Sequence, residues 1–370
     1  MGPPVPTPMA VQLPLHDLHA RLGARFGEGD GYLVPLHYGE PATEHEAVRQ
    51  RVGLIDRSDR GAIEASGRDR VAFLHGMLTN DIKALVPGHG CPAAFLDAHG
   101  KLVSLLLVHC LTDRVLLEMD RRLVEPTLAA LDRFLISERV EFLDVGAAHG
   151  ILTLAGPAAR AALEKLAEQA LPELQVAHHV HLTVDGLPIR AVRTEETGEE
   201  GYDLWVSPEG LRHLWERAMV AGARPVGREA WNILRVEAGV VWHAVDVDAS
   251  TLIMEAPLRH VYSLTKGCYI GQEVVARVTY RGHVNRKIVG FVFPDPRIPA
   301  PGAGVFVEGQ EVGRITSVVV SPAFKRGLAL GFLRREHWEP GTKVEVAGNG
   351  EPLIAEVGAL PFYRRTAQEA

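Results

Sequence analysis

The chain has 370 residues, 46% of them apolar and 23% charged; that is too long for one ordinary core, so two or three domains are expected. A net charge of −7 excludes nucleic-acid binding through a broad basic field. Three cysteines without a CxxC pair exclude a disulfide framework and predict a reduced compartment. No apolar run is long enough to span a bilayer. Residues 1–14, punctuated by Pro, lack the basic start and apolar core of a signal peptide. The expectation is a soluble cytoplasmic protein.

The first predicted element after the Pro-rich lead is a short helix. It is capped by Thr43 with Glu46 in a capping box and runs to about Val52. An internal repeat follows. Gly61-Ala-Ile-Glu-Ala-Ser-Gly67 and Gly150-Ile-Leu-Thr-Leu-Ala-Gly156 each read as a strand bounded by Gly at the same spacing. Each then enters a helix, with Val71, Leu74 and Leu78 on one apolar face and Ala161, Leu163 and Leu166 on the other. Strands over 102–108 and 115–119 and a helix over 123–135 match strands over 188–192 and 202–206 and a helix over 209–221. Both copies read strand–helix–strand–strand–helix, so the fold class is α+β, a duplicated unit with largely antiparallel sheets. A helix over 228–238 closes this region.

Beyond Asn285 the pattern changes to short alternating strands with hairpin turns at Glu308–Gln310 and at Asn349-Gly350. Residues 285–370 are expected to form a small β-barrel, with 294–304 as a loop inside it. The predicted division is 1–55 with 140–284, 56–139 as the first repeat, and 285–370.

The segment richest in chemistry is Lys266-Gly-Cys-Tyr-Ile-Gly-Gln-Glu-Val-Val-Ala-Arg277, continuing to Arg281. It sets a thiol, Cys268, in a Gly-punctuated loop before a helix starting near Gly271. A helix N-terminus and Lys266 would favour the thiolate. Gly267 and Gly271 permit close backbone approach, Glu273 suits the helix dipole, and Gln272 and Glu273 would order the loop. Cys110 ends an apolar run and reads as core. No role is assigned to Cys91. The His178-His179-x-His181 run reads as a solvated loop or edge rather than a metal site, and Glu195–Glu200 as a charged hairpin turn.

Lys266-Gly-Cys-Tyr-x-Gly-Gln-Glu273 resembles the signature of the YgfZ family of folate-binding proteins, a branch of the glycine-cleavage T-protein superfamily. Glu44-His-Glu-Ala-Val-Arg49, Gly53-Leu-Ile-Asp-Arg-Ser58, Thr79-Asn80-Asp81 and Thr197-Gly-Glu-Glu-Gly-Tyr-Asp203 are similar to T-protein segments. The resemblance covers nearly the whole chain. It implies three domains closing into a ring, with a tetrahydrofolate in the central hole. It also implies a ligand role for Asn80, Tyr202, Asp203 and Trp231. A carboxylate at Asp203 suits the paired donors of a pterin, and Trp231 could stack on a ring.

Three departures separate the chain from the T-proteins themselves. Where they carry an Asp pair, this chain has Ser104 and Leu105, so the strand lacks a proton-handling carboxylate. Trp231 replaces a folate-binding Arg, and Cys268 an acidic residue. The leading expectation is therefore a tetrahydrofolate-binding protein that assists iron–sulfur cluster assembly or repair in client enzymes. Cys268 and Lys266 would act, and Gly267, Tyr269, Gly271, Gln272, Glu273, Arg277 and Arg281 would shape the motif. A lone Cys cannot hold a cluster, which takes four ligands. The rivals are a folate-dependent aminomethyltransferase or demethylase, and a folate-binding module that only docks to partners.

Overall fold

The computed structural model describes residues 10–29, 31–348 and 350–365. Asn349 of the expected hairpin pair, most of the Pro-rich lead and the last five residues lie outside them. The described chain opens with β1 (Val11–Gln12), α1 (His16–Arg21), β2 (Arg25–Gly29) and β3 (Tyr32–His37), followed by α2 (Pro41–Gln50) and β4 (Gly53–Asp56). The capping box at Thr43 does not form. Pro41, whose missing N–H is no loss at a helix start, begins α2 three residues earlier, with Glu40 rather than Thr43 as N-cap. Glu44 instead accepts from the backbone N–H groups of Tyr38 (2.6 Å) and Gly227 (2.8 Å).

The first repeat comprises β5 (Arg60–Ser66), α3 (Arg70–Met77), β6 (Gly90–Leu96), β7 (Leu102–Cys110), β8 (Val115–Asp120), α4 (Val124–Asp132) and β9 (Glu141–Asp144). The second has β10 (Gly150–Ala155), α5 (Ala159–Ala167), β11 (His179–Val184), β12 (Leu187–Thr194), β13 (Gly201–Val206), α6 (Pro208–Val220) and β14 (Arg224–Pro225). Their sheets run β6-β7-β8-β5-β9 and β11-β12-β13-β10-β4-β14. The four leading strands stand in the same order, and β4 adds itself to the second sheet. Each repeat thus holds two strands more than the sequence pattern shows, β6 and β9 in the first and β11 and β14 in the second.

Each sheet buries one face under its own helices. Leu152, Leu204 and Trp215 lie in one core, and Ile63, Leu117 and Leu74 in the other. The opposite faces meet each other around Ala62, Leu116, Ile151, Val192 and Trp205. Both faces of β13 are therefore buried.

Next come α7 (Arg228–Glu237), α8 (Gln272–Arg281) and a closed barrel of β15 (Arg286–Val292), β16 (Gly304–Val307), β17 (Gln310–Ser321), β18 (Arg326–Arg334), β19 (Lys343–Val346) and β20 (Leu353–Gly358). Glu237 at the end of α7 ties three parts together. It accepts from His45 (2.9 Å), Arg49 (2.5 Å) and Ser321 of the barrel (2.5 Å), all buried. A buried carboxylate is tolerated when it is paired in this way. No helix among the described residues is long and apolar enough to cross a membrane.

Candidate functional site

The two repeats, the loop after α7 and the tail beyond the barrel enclose a cavity of about 620 Å³. That is the size range of sites for drug-sized ligands. Its floor is electrostatic. Arg57, just beyond β4, donates to Glu196 (2.8 Å) and lies 3.9 Å from Asp203, with its guanidinium 4.3 Å from the Trp231 ring centre. Burial opposes its charge, but Glu196 and Asp203 outweigh that and hold Arg57 cationic. Arg228 pairs with Asp59 (3.0 Å), whose Oδ1 is buried without a hydrogen-bond partner.

The walls are apolar and aromatic. Leu105, Leu107, Val241, Trp242 and Tyr363 line the cavity with Trp231, which stands edge-on to Trp242 at 5.0 Å. Arg193, Glu195 and the exposed Arg364 also line the cavity; Arg364 donates to Glu195 (2.9 Å) and Arg193 lies 3.4 Å from Glu200. The loop that carries Trp242 and His243 is fixed from below. Asp246 accepts from Trp242 N (3.0 Å), from Thr316 and Ser317 of the barrel (2.6 Å each), and from Arg235.

Of the residues singled out in the sequence as folate ligands, the structure places Trp231 in the cavity wall and three outside it. Tyr202 points into the core of the second repeat and donates to Glu200 (2.6 Å). Asn80 ties the chain together by donating to the carbonyls of Pro92 (2.9 Å) and His260 (3.3 Å). Asp203 sits on the inter-repeat face of β13, bonded to Thr153 (2.5 Å) and behind Arg57, and burial raises its pKa to about 7. The carboxylates that line the cavity on this side are Glu195 and Glu196, from the segment expected to be a charged hairpin turn. That turn is pinned by distant cations. Glu199 is buried and accepts from Arg49 (3.2 Å), Arg365 (2.5 Å) and Tyr363 (2.6 Å). No spacing within the turn announces those partners.

The motif at 266–281 lies on the outer side of the first repeat, away from the cavity lining. Gly271 is the N-cap of α8 at φ +81, and a Cβ there would meet the Asp97 carbonyl at 2.6 Å. Tyr269 is core. Lys266 is buried, and its ammonium donates to the carbonyls of His75 and Leu78 (2.6 Å to the latter) at the end of α3. Those bonds are the structural use of a side chain expected to activate sulfur. Burial lowers its pKa to about 8. Cys268 is exposed, as is Gly267, and its thiol makes no hydrogen bond among the described residues. Gln272 is half-buried, Glu273 and Arg277 form an exposed i,i+4 pair (2.5 Å), and Arg281 is exposed.

The His run is also not solvated throughout. It lies on the edge strand β11, where His179 is buried against His109. Burial drives the His179 pKa down to about 3, helped by His109 and Arg190. Among the described residues no three His, Cys, Asp or Glu side chains converge as a metal site.

Residues 15–266 match the GCVT N-terminal domain and residues 286–364 the glycine cleavage T-protein C-terminal barrel domain. The chain belongs to the glycine-cleavage T-protein family. It is 34% identical over 364 residues to the aminomethyltransferase of Geobacillus kaustophilus, covering 96% of this chain and 100% of that one. It is 30% identical over 358 residues to the aminomethyltransferase of Halalkalibacterium halodurans, with 95% and 98% covered. The crystal structure of the glycine cleavage system aminomethyltransferase T from Bartonella henselae superposes with a TM-score of 0.88 at 26% identity, covering 96% of this chain and all of that one. The superfamily expectation and the T-protein-like fold hold. The YgfZ branch and its iron–sulfur role are not what these likenesses carry.

Tetrahydrofolate is the substrate or cofactor of this family, and the cavity fits one. The orphaned Asp59 Oδ1 and the Glu196 carboxylate offer acceptors for paired N–H donors. Trp231, Trp242 and Tyr363 offer aromatic surface, and Arg193 and Arg364 suit carboxylates.

Proposed function

We propose that the chain is a tetrahydrofolate-dependent one-carbon transferase of the aminomethyltransferase kind, acting on an amine donor inside the central cavity. The observation that carries this reading is the cavity itself. Its orphaned carboxylate oxygen, aromatic walls and cationic residues stand where the two repeats, the loop after α7 and the tail beyond the barrel converge. When bound, the folate supplies the nitrogens that accept the carbon. The chain's part is to bind and orient it, with Glu196 and Asp59 toward the pterin and Arg193 and Arg364 toward the tail, and to exclude water with the aromatic walls. The test is calorimetric titration with tetrahydrofolate, followed by an assay of ammonia release from an aminomethylated carrier protein. Saturable binding with folate-dependent release is the expected result. A protein that shows no heat and no thermal stabilisation at saturating tetrahydrofolate overturns the reading, because a native-state ligand must raise stability.

A second reading rests on the exposed thiol of Cys268 in its motif. In it the folate-loaded protein assists iron–sulfur enzymes, with client or assembly proteins as partners that meet the thiol on the outer surface. Loss of iron–sulfur enzyme rescue in Cys268→Ser, with folate binding intact, supports it; full rescue ends it. Both readings place the protein in the cytoplasm, in keeping with three unpaired cysteines.

A further inference from the structure

At the two positions where an Asp pair was expected from the resemblance, β7 offers no proton carrier. Ser104 is buried, its hydroxyl without a partner, and Leu105 faces the cavity. Transfer of carbon from an amine to a folate nitrogen still requires a proton to move. We propose that His243 moves it, standing in for the missing carboxylates; this rests on the transferase reading above.

His243 lines the cavity, and both its ring nitrogens are buried without a hydrogen-bond partner. An orphaned buried nitrogen is costly, so two on one ring call for a group that satisfies them when the site is in use. The ring sits on a loop that is itself fixed. Asp246 anchors the loop to the barrel, and Ala244 next to it adopts φ +61, a conformation that a side chain rarely takes. The charged groups facing the ring are Asp120 at the end of β8, Arg122 beyond it, and Asp248 of its own loop.

Asp120 marks where the missing chemistry would be. β7 and β8 pair Leu106 with Met119, so one step further along the ladder Leu105 stands opposite Asp120. The ring therefore faces the strand position next to the one that lost its carboxylate. Asp120 itself is engaged by Arg122 through its backbone N (2.9 Å), Nε (3.0 Å) and Nη2 (2.7 Å). Those bonds keep it ionised, below the usual carboxylate range despite burial. It can stabilise an imidazolium but is poorly placed to shuttle protons. Burial, aided by Arg122 and opposed by Asp120 and Asp248, lowers the His243 pKa and leaves the ring neutral at neutral pH, with one nitrogen free to accept. His260 is the other imidazole of the lining, and it is exposed.

The step balances without oxidant or reductant. A carbon–nitrogen bond to the folate forms as the bond from that carbon to the donor's amine breaks. The proton shed by that folate nitrogen passes to His243 and from it to the departing amine; the carbon's bond to the carrier then breaks as the second folate nitrogen bonds to the same carbon, and that nitrogen's proton leaves with the carrier group.

The test compares wild type, His243→Gln and His243→Asn for tetrahydrofolate binding by calorimetry and for ammonia release across pH 5–9. Both variants are expected to bind within about twofold of wild type. They should lose roughly 10²–10⁴-fold in kcat and the acidic inflection of the wild-type pH profile. Leu105→Asp added to His243→Gln should recover at least tenfold. Undiminished turnover with an unchanged profile in both variants overturns the assignment while leaving the transferase reading intact. Loss of tetrahydrofolate binding in both variants makes the ring a ligand group and overturns it too. A wild type that binds but never releases ammonia overturns the transferase reading and this assignment with it.

Discussion

The central cavity and the Cys268 loop divide the molecule between what is enclosed and what is displayed. The cavity draws its lining from residues as far apart as Arg57 and Arg364, and its polar atoms are buried, charged and in places orphaned. The loop is one continuous stretch, and most of its polar groups serve to seat it on the first repeat and start α8. Lys266 binds the end of α3, Glu273 binds Arg277, and Gly271 starts α8. The difference teaches that a conspicuous motif can be conspicuous because it folds a corner. Convergent chemistry, by contrast, leaves no local signature.

Substitutions that separate the two regions should differ in the size of their effect. Asp246→Ala strikes the cavity hardest. It leaves Arg235 buried and unpaired and frees the loop bearing Trp242 and His243 from the barrel. Breaking a buried pair in this way costs about 3–5 kcal/mol. Urea unfolding should show that loss, and tetrahydrofolate affinity should fall at least tenfold. Stability equal to wild type would remove the anchoring role given to Asp246.

The next effect is on the interface between the repeats, which forms one side of the cavity. The His179 pKa falls from the usual 6.5 to about 3 on folding, and His109 is lowered in the same direction, burial being the main cause of both. Between those values the unfolded chain binds more protons than the folded one. Stability is thus fully present above pH 6.5 and is lost as pH falls below it, at most about 1.4 kcal/mol per pH unit for each such histidine. The urea midpoint should drop between pH 6.5 and 4.5, and His179→Leu should flatten the decline. A midpoint constant over that range would contradict the buried neutral ring.

The smallest effect belongs to the loop. Cys268→Ser should leave stability within about 0.5 kcal/mol and tetrahydrofolate affinity unchanged. Brief iodoacetamide treatment should label Cys268 ahead of half-buried Cys91 and buried Cys110. A Cys268→Ser variant that loses folate binding would join the two regions that the fold keeps apart.

Much of the architecture was legible because repetition and alternation are local properties. The matched Gly spacing of β5 and β10, and the change to hairpins at β15, are written along the chain. The strands β6 and β11 were not. Cys91-Pro92-Ala93-Ala94 lacks β-branched residues and carries a proline, whereas β11 (His-Val-His-Leu-Thr-Val) has a strand's composition but its His run reads as a loop or edge. Their place is set by pairing with β7 and β12.

The site was legible only in part. Alternation on β13 sets Tyr202 and Asp203 on opposite faces but cannot tell solvent from a second sheet, and here both faces are buried. Glu196 and Glu199 read as no more than a charged hairpin turn because the cations that meet them, Arg57, Arg49 and Arg365, come from distant parts of the chain. His243 carries no motif at all. Its significance lies in two nitrogens left without partners, which only the packed structure discloses.

The most direct test of a cavity-centred function is amide hydrogen exchange with and without saturating tetrahydrofolate. Protection should rise at the Arg193–Gly198 turn and along Val240–Val245, with residues 266–272 unchanged. Protection concentrated at 266–272, with those two cavity segments unaffected, would place the ligand on the outer loop and contradict the account.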